Sequence, residues 1–217
     1  MPRKQPEDRP YHWGEKLRSD LIAEAVRQVE PWGMGRLSTR EVAKVVGVSH
    51  AAPNHYFANR LALAAAVAGV GFERMYDAIT VAVTDARNRP SEQLLAACIA
   101  YIDFALKNPG LYRTMYAADL AERLNDSPRG MRQGTDWFSN LSQLKARVFG
   151  LFVELVRDGQ SRDVFRRGKP DDVARVATAL SHGLAREFLD EELGSRIDRI
   201  AHAKQVLGVM LTGIEIR

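Results

Sequence analysis

Two closely spaced helix starts with a glycine between them constrain this chain more than any other feature. In the stretch LSTREVAKVVGVSHAAPNHYFANRLAL, from Leu37 to Leu63, Ser38 precedes an apolar-periodic segment and Glu41 follows three residues later. That is the pattern of a capping box, in which the serine hydroxyl takes a free helix N–H and the glutamate reaches back to the cap. The helix it opens is expected to turn Val42, Val45 and Val46 inward and Arg40 and Lys44 outward, and to end at Gly47. Ser49 then caps a second short helix of His50, Ala51, Ala52, Pro53, Asn54 and His55. Pro53 falls in or near its first turn, where a missing N–H is cheapest, and stiffens it. Two short helices joined by a tight turn containing glycine form a helix-turn-helix, whose second helix enters the DNA major groove. The alternative, a hairpin in an ordinary helical bundle, is disfavoured. Such a bundle helix needs a sustained apolar stripe, and this one presents His50, Asn54 and His55.

The remaining chain reads as helices that support this stretch. Residues 1 to 10 hold Arg3, Lys4, Arg9 and three prolines, and we expect a flexible arm over residues 1–14 that either touches DNA or only solubilises the terminus. From Glu15 the apolar period is helical, with Leu17, Leu21, Ala25 and Val29 on one face, until Pro31 and Gly33. Phe57 and Leu61 plug the three-helix core from the other end. A long helix follows with Arg60 in its first turn and no strong breaker before Pro90. Gly69 and Gly71 within it mark a kink or a close approach. Ser91 and Glu92 open the next helix, and Pro109 opens another through Leu124. Residues 125–136 read as a mobile loop, and Trp137 begins a helix ending near Asp158. The connector SRDVFRRGKPDD leads to two last helices, one carrying Val173, Val176, Leu180, Leu184 and Phe188, the other Ile197, Ile200, Leu207, Leu211 and Ile214. No long period-two alternation occurs. The expected fold is therefore all-α: a three-helix helix-turn-helix domain at 15–62 and a second helical domain at 63–217.

Charge and composition narrow the function classes. The net charge of +4 is too small to imply nucleic acid by itself, but residues 36–60 concentrate four basic residues against one acidic one. The single cysteine, Cys98, excludes an intrachain disulfide framework, and its setting among alanines and Ile99 reads as an inert buried thiol. No apolar run reaches the ~18 residues of a membrane-spanning helix, and the N-terminus lacks a signal-peptide core, so we expect a cytoplasmic protein without a membrane partner. The five histidines show no metal spacing, and no GxGxxG, P-loop, GxSxG or HExxH motif is present. We expect no catalytic residues, no metal and no cofactor. Asp190, Glu191 and Glu192 read as a solvated helix end. The aromatic and sulfur side chains Phe72, Tyr101, Phe104, Tyr112, Met115, Tyr116, Trp137 and Phe138 are either core or the lining of an apolar pocket between helices. His182, between Leu180 and Leu184, reads as a hydrogen-bonded core or interface residue.

The first 65 or so residues resemble the TetR-type transcriptional regulators, through Tyr11 to Leu17, Leu37-Ser38-Thr39-Arg40-Glu41-Val42-Ala43, Gly47-Val48-Ser49, and Ala51-Ala52 through Phe57 to Leu63. The segment Asn108-Pro109-Gly110-Leu111-Tyr112-Arg113-Thr114-Met115-Tyr116 is similar to the C-terminal domains of one subgroup. The resemblance implies a variable helical C-terminal domain that binds a small molecule and forms a dimer. It also implies DNA contacts by Thr39, Arg40, His50, Ala51, Asn54, His55, Tyr56 and Arg60. Asn54 stands where the family often has Tyr, Tyr56 where it has His, and Arg60 where it usually has Lys. Asn54 can read adenine N6 and N7, and Tyr56 can still donate to a phosphate.

The expected function is a homodimeric repressor, paired through its last two helices and released from a pseudo-palindromic double-stranded operator by a largely apolar small molecule. The helix from Arg60 to Asp85 would act as the lever. The alternatives are an activator or architectural DNA-binding protein without small-molecule input, and an enzyme using the C-terminal cavity.

Overall fold

The computed structural model describes residues 11–86, 88–117, 135–190 and 198–216, with the side chains of 11–13 and 135–139 left aside. Among these residues the chain forms eight α-helices: α1 (Tyr11–Val29), α2 (Thr39–Val46), α3 (Arg60–Asp85), α4 (Pro90–Lys107), α5 (Pro109–Met115), α6 (Thr135–Ser161), α7 (Pro170–Leu189) and α8 (Arg199–Ile214). Two 3₁₀ turns, Gly33–Arg36 and Ala52–His55, lie on either side of α2. The fold is all-α, as the periodicity predicts. Its only β pairing among the described residues is an isolated bridge between Phe165 and Glu215.

Local chemistry explains most boundaries. α1 starts at Tyr11, inside the expected 1–14 arm, because periodicity registers only the buried stripe and the turns before Leu17 are exposed at Glu15 and Lys16. Residues 1–10 of that arm lie outside the described residues. Ser38 Oγ accepts from the Glu41 N–H at 3.3 Å, as a cap should. The return half of the capping box is missing. Gln28 of α1 accepts from the Ser38 N–H at 3.2 Å, and Glu41 instead lies 3.6 Å from Lys44. The substitution ties the start of α2 to α1.

α2 closes at Gly47, whose φ is 79°. The Val48 N–H donates to the Ala43 carbonyl at 2.9 Å and the Gly47 N–H to Lys44 at 3.2 Å, the paired bonds of a Schellman motif. Val42 and Ala43 are buried and Val46 half-buried, whereas Val45 is 56% exposed. At 100° per residue Val42, Ala43 and Val46 share one face, and Val45 falls on its flank.

The expected second helix is a single 3₁₀ turn. With no N–H on Pro53, the Ser49 carbonyl is reached by Ala52 N–H at 2.9 Å, and Asn54 N–H donates to Ala51 at 3.1 Å. These are i→i+3 bonds. The Ser49 side chain makes no cap; its carbonyl starts the turn. Pro53 and Phe57 are buried beneath it.

α3 is the spine. Asn59 Oδ1 caps it by accepting from Ala62 N–H at 2.9 Å, and the unbroken run Ala62–Ala68 is buried. Small side chains on every face let α1, α4, α5 and α6 all pack on one helix. Gly71 marks a close approach: an added Cβ would lie 2.5 Å from Met115 Sδ. At Gly110 an added Cβ would overlap the Val29 and Glu30 carbonyl oxygens of α1 and its C-terminal turn. α4 begins at Pro90, one residue before the expected Ser91, because proline fits the first helical position. α5 ends at Met115; the rest of the segment expected to run to Leu124, from residue 118, and most of the expected loop lie outside the described residues.

Downstream, α6 outruns the expected end at Asp158 by three residues. The connector after it is anchored by Phe165, which is 1% exposed. Arg166 N–H donates to the Ile214 carbonyl at 2.7 Å and Ile216 N–H to Val164 at 3.0 Å, pinning the chain after α8 against this connector. α7 buries Ala174, Ala177, Leu184 and Phe188 but leaves Val176 54% exposed, off the inward stripe expected for it. The apolar core is continuous from α1 to α8. Ile197, Glu191 and Glu192 lie outside the described residues.

The two close approaches predict different penalties. Gly110→Ala must push a methyl into fixed carbonyls and should cost about 3 kcal/mol, while Gly71→Ala meets a flexible methionine and should cost about 1 kcal/mol. Urea unfolding at matched protein concentration reads both, and equal losses would contradict the rigid contact at Gly110.

Candidate nucleic-acid face and helical-domain cavities

The outward side of α2 and the following turn is polar because its apolar residues are spent on α1. Val42, Ala43, Pro53 and Phe57 are buried, while Arg40, His50, Ala51, Asn54 and His55 are exposed. Thr39, at the first position of α2, is half-buried. So is Tyr56, whose hydroxyl lies 3.7 Å from the site of a Cβ at Gly14 and therefore sits against the start of α1. Arg60 is exposed in the first turn of α3, next to the Asn59 cap. Among the described residues Arg40 and Arg60 make no ion pair, so both charges are available to an anion. Lys44 shares its charge with Glu41, and Arg36 stacks over the exposed Trp32 ring, its Cζ 5.7 Å from the centroid. Exposed Val45 belongs to this side as well, and the apolar period had assigned it inward.

The second region lies where α3, α4, α5, α6 and α7 meet. Tyr101 donates to the Tyr116 hydroxyl at 2.7 Å. The Tyr112 hydroxyl lies 2.7 Å from His182 Nδ1, with Tyr101 3.3 Å from the same nitrogen. A phenol is the better donor and an imidazole nitrogen the better acceptor, so Tyr112 gives its proton to Nδ1 and the neutral ring carries its own on Nε2. Two cavities flank this network. One, of about 290 Å³, is lined by Phe72, Tyr101, Tyr116, Lys145, Val148, Phe149, Arg175, Thr178, Ala179 and His182. The other, of about 300 Å³, is bounded by Tyr112, Arg113, Tyr116, Ala117, His182, Arg186, Leu189 and Asp190. Tyr116 and His182 belong to both.

Four expected pocket residues, Phe72, Tyr101, Tyr112 and Tyr116, thus come together. Phe104 lines a separate groove of about 550 Å³ with Ala78, Val81, Ile99 and Ile200. Met115 fills the space beside Gly71. The side chains of Trp137 and Phe138 lie outside the described residues. Sequence reasoning placed His182 in a hydrogen-bonded role, which it has, but missed that it also lines the cavities with Lys145, Arg175 and Arg186. Arg175, Thr178, His182 and Arg186 are spaced three and four apart, a polar stripe along one face of α7. That spacing was the available signal. Asp190 also proves more than a solvated end: its carboxylate lies 4.0 Å from Arg113 and 3.8 Å from Arg186, and Arg113 donates to the Leu189 carbonyl at 2.9 Å.

Burial keeps the network neutral. It pushes Tyr101 and Tyr112 well above the ordinary phenol value, Tyr101 further raised by its tyrosine neighbours, and Tyr116 up to about 12. Burial, then the positive charges of Arg186 and Lys145, lowers His182 below its usual 6.5. Cys98 is fully buried and pushed up to about 12 by desolvation, the state of an inert thiol. Because His182 takes up a proton less readily folded than unfolded, its stabilisation is complete above 6.5 and is lost as pH falls through the lowered native value. His182→Gln should therefore flatten the fall in Tm between about pH 7 and pH 5. An unchanged pH profile would show that this imidazole titrates normally.

A family model described as the tetracyclin repressor-like C-terminal domain matches residues 94–209. A protein of unknown function from Rhodococcus sp. RHA1 superimposes with a TM-score of 0.77 and 27% identity, over 98% of this chain and 100% of that one. A tetR-family regulatory protein from Rhodococcus RHA1 follows with a TM-score of 0.66 and 20% identity, over 93% and 98% of the two chains. The ketosteroid transcriptional regulator KstR2 of Mycobacterium tuberculosis gives 0.62 and 19%, over 92% and 95%. No curated protein matches the chain by sequence. With more than half its length matched by the family model and its helices laid out as in these regulators, the chain belongs to the TetR family of transcriptional regulators.

Proposed function

We propose that the protein is a homodimeric, ligand-responsive repressor that leaves a pseudo-palindromic operator when a small, largely apolar effector fills the cavity beside Tyr116 and His182. The observation that carries this reading is the position of α5. Its Tyr112 and Tyr116 end borders the cavities, while Gly110 abuts the Val29 and Glu30 carbonyls and Arg113 Cβ lies 3.5 Å from the site of a Cβ at Gly33. Movement of α5 to admit a ligand therefore pushes directly on the end of α1, to which α2 is tied by packing and by the Gln28–Ser38 bond, with the 3₁₀ turn packed on α2. α3, with Arg60 at one end and Phe72 in the cavity wall, moves with it. Occupancy lowers DNA affinity only by the difference in ligand affinity between the two conformers.

In this scheme residues 15–62 bind DNA and 63–217 hold the effector and the partner subunit. Asn54, with His50, Ala51 and His55, reads base edges, while Thr39, Arg40, Tyr56 and Arg60 hold phosphates. Val176 on α7 and Val209 on α8, 54% and 76% exposed, are supported by exposed Ala179, Gly183 and Gly213. Small outward residues let a second copy's helices approach, giving a four-helix interface. Two-fold symmetry then sets the recognition turns about 34–36 Å apart. A protein with this partner works in the cytoplasm, and nothing in the scheme calls for an enzymatic step. No single helix among the described residues is long and apolar enough to cross a membrane.

Selection of bound fragments from a genomic pool tests the reading: recovered fragments should share an inverted repeat, and recovery without any common sequence would refute it. On such a site, Asn54→Ala should relax preference at one base position by about 1–3 kcal/mol. Arg60→Ala should weaken all DNA alike and reduce the salt slope by about one. Identical effects of the two changes would contradict the division between base and phosphate contacts. Val209→Asp should weaken self-association at least about tenfold in sedimentation, and an unaltered dimer would move the interface elsewhere.

A further inference from the structure

The cavity next to Lys145 has a polarity that a merely apolar effector does not use. Two donors are left over from the tyrosine–histidine network. Tyr101 has spent its proton on the Tyr116 oxygen and Tyr112 its own on His182 Nδ1, so the Tyr116 O–H and the His182 Nε2–H remain, on the two residues that border both cavities. Two cations line the same 290 Å³ space. Lys145 Nζ lies 5.8 Å from the centroid of the Tyr116 ring, and Arg175 Cζ lies 5.2 Å from that of Phe149. Neither cation has a carboxylate partner among the described residues, and no Asp or Glu lines this cavity. Phe72, Val148, Phe149, Ala179 and the Tyr116 ring form the apolar wall, and Thr178 spends its hydroxyl proton on the Ala174 carbonyl. Donors and unpaired positive charge set among aromatic and aliphatic walls suit an amphipathic anion, whose oxygens take the donors while its hydrocarbon part covers the rings.

Resting on the ligand-responsive reading above, we infer that the effector is an amphipathic carboxylate. Its oxyanion is received by the Tyr116 hydroxyl, the His182 Nε2–H and the Lys145 and Arg175 charges, and its hydrocarbon part lies against Phe72, Val148 and Phe149. The neighbouring cavity differs: there Asp190 already neutralises part of the charge of Arg113 and Arg186. The carboxylate is therefore drawn to the Lys145 side, and the second space takes any overhanging neutral part of the molecule.

The test uses the full chain and three probes of one chain length: octanoate, octanol and octylammonium, with calorimetry for binding and fluorescence anisotropy for DNA. Octanoate should bind about tenfold tighter than octanol, and octylammonium more weakly than either. Lys145→Met and Arg175→Met keep the stems and should each remove most of the preference for octanoate over octanol while leaving octanol binding unchanged. Arg186→Met, in the other cavity, should leave the preference intact. Equal affinity for octanoate and octanol, tighter octylammonium, or no binding of any probe would overturn the inference. The repressor reading fails separately. Octanoate bound with the expected preference but without effect on an operator complex would uphold the carboxylate site and refute release by ligand. A sequence-specific complex in a protein that ignores octanoate would do the reverse.

Discussion

The contact between α5 and the end of α1 is the constraint on which the rest of the arrangement depends. Gly110 carries no side chain, and the Val29 and Glu30 carbonyls occupy the space a methyl group would need. Backbone meets backbone there, so no flexible side chain absorbs a displacement. Interiors packed at crystal-like density transmit strain instead of dissipating it. On the far side of the same short helix, Tyr112 and Tyr116 share the hydroxyl network that walls the cavities. The helix has only two turns in which to bend. Position at one end is therefore set by position at the other.

α3 plays the complementary part. Its buried alanines sacrifice side-chain volume, and with it some of the hydrophobic gain of larger residues, in exchange for proximity to four neighbouring helices. A spine of leucines would bury more area but hold those helices further apart. The space between α4, α6 and α7 then fills with large rings: Tyr101, Tyr112, Tyr116, Phe72 and Phe152 lie in edge-to-face or tilted contacts. Such shapes tile imperfectly, and the cavities occur where they meet the polar stripe of α7.

Features decided within one or two turns of chain were legible from the residues. The Ser38 cap, the Gly47 stop and the start of α3 all depend on bonds spanning a few positions. Features decided by a distant competitor were not. Gln28 occupies the N–H that Glu41 was expected to take, and no local rule ranks the two. Val45 looked inward because valines cluster there, yet α1 contacts only the face shared by Val42, Ala43 and Val46. Phe165 sat in a segment whose charges and glycine spelled a connector, although its ring is fully enclosed. The cavity was half legible. Tyr101, Tyr112 and Tyr116 stood out by type, but His182, Lys145 and Arg175 join them from other helices, and their meeting is a property of the packing alone. Phe104 and Met115 share the type and not the place.

The 3₁₀ turn at Ala52–His55 has a consequence for how a surface is read. A helix of several turns offers many side chains; a single turn closed at the Ser49 carbonyl and fixed in φ at Pro53 offers few. Proline restricts the unfolded chain as well as the folded one. The backbone beneath the exposed His50, Asn54 and His55 is accordingly restricted in advance, so a contact made there would cost little backbone entropy. On so small a surface the backbone supplies the fixed shape, and any adjustment falls to the few side chains that stand on it.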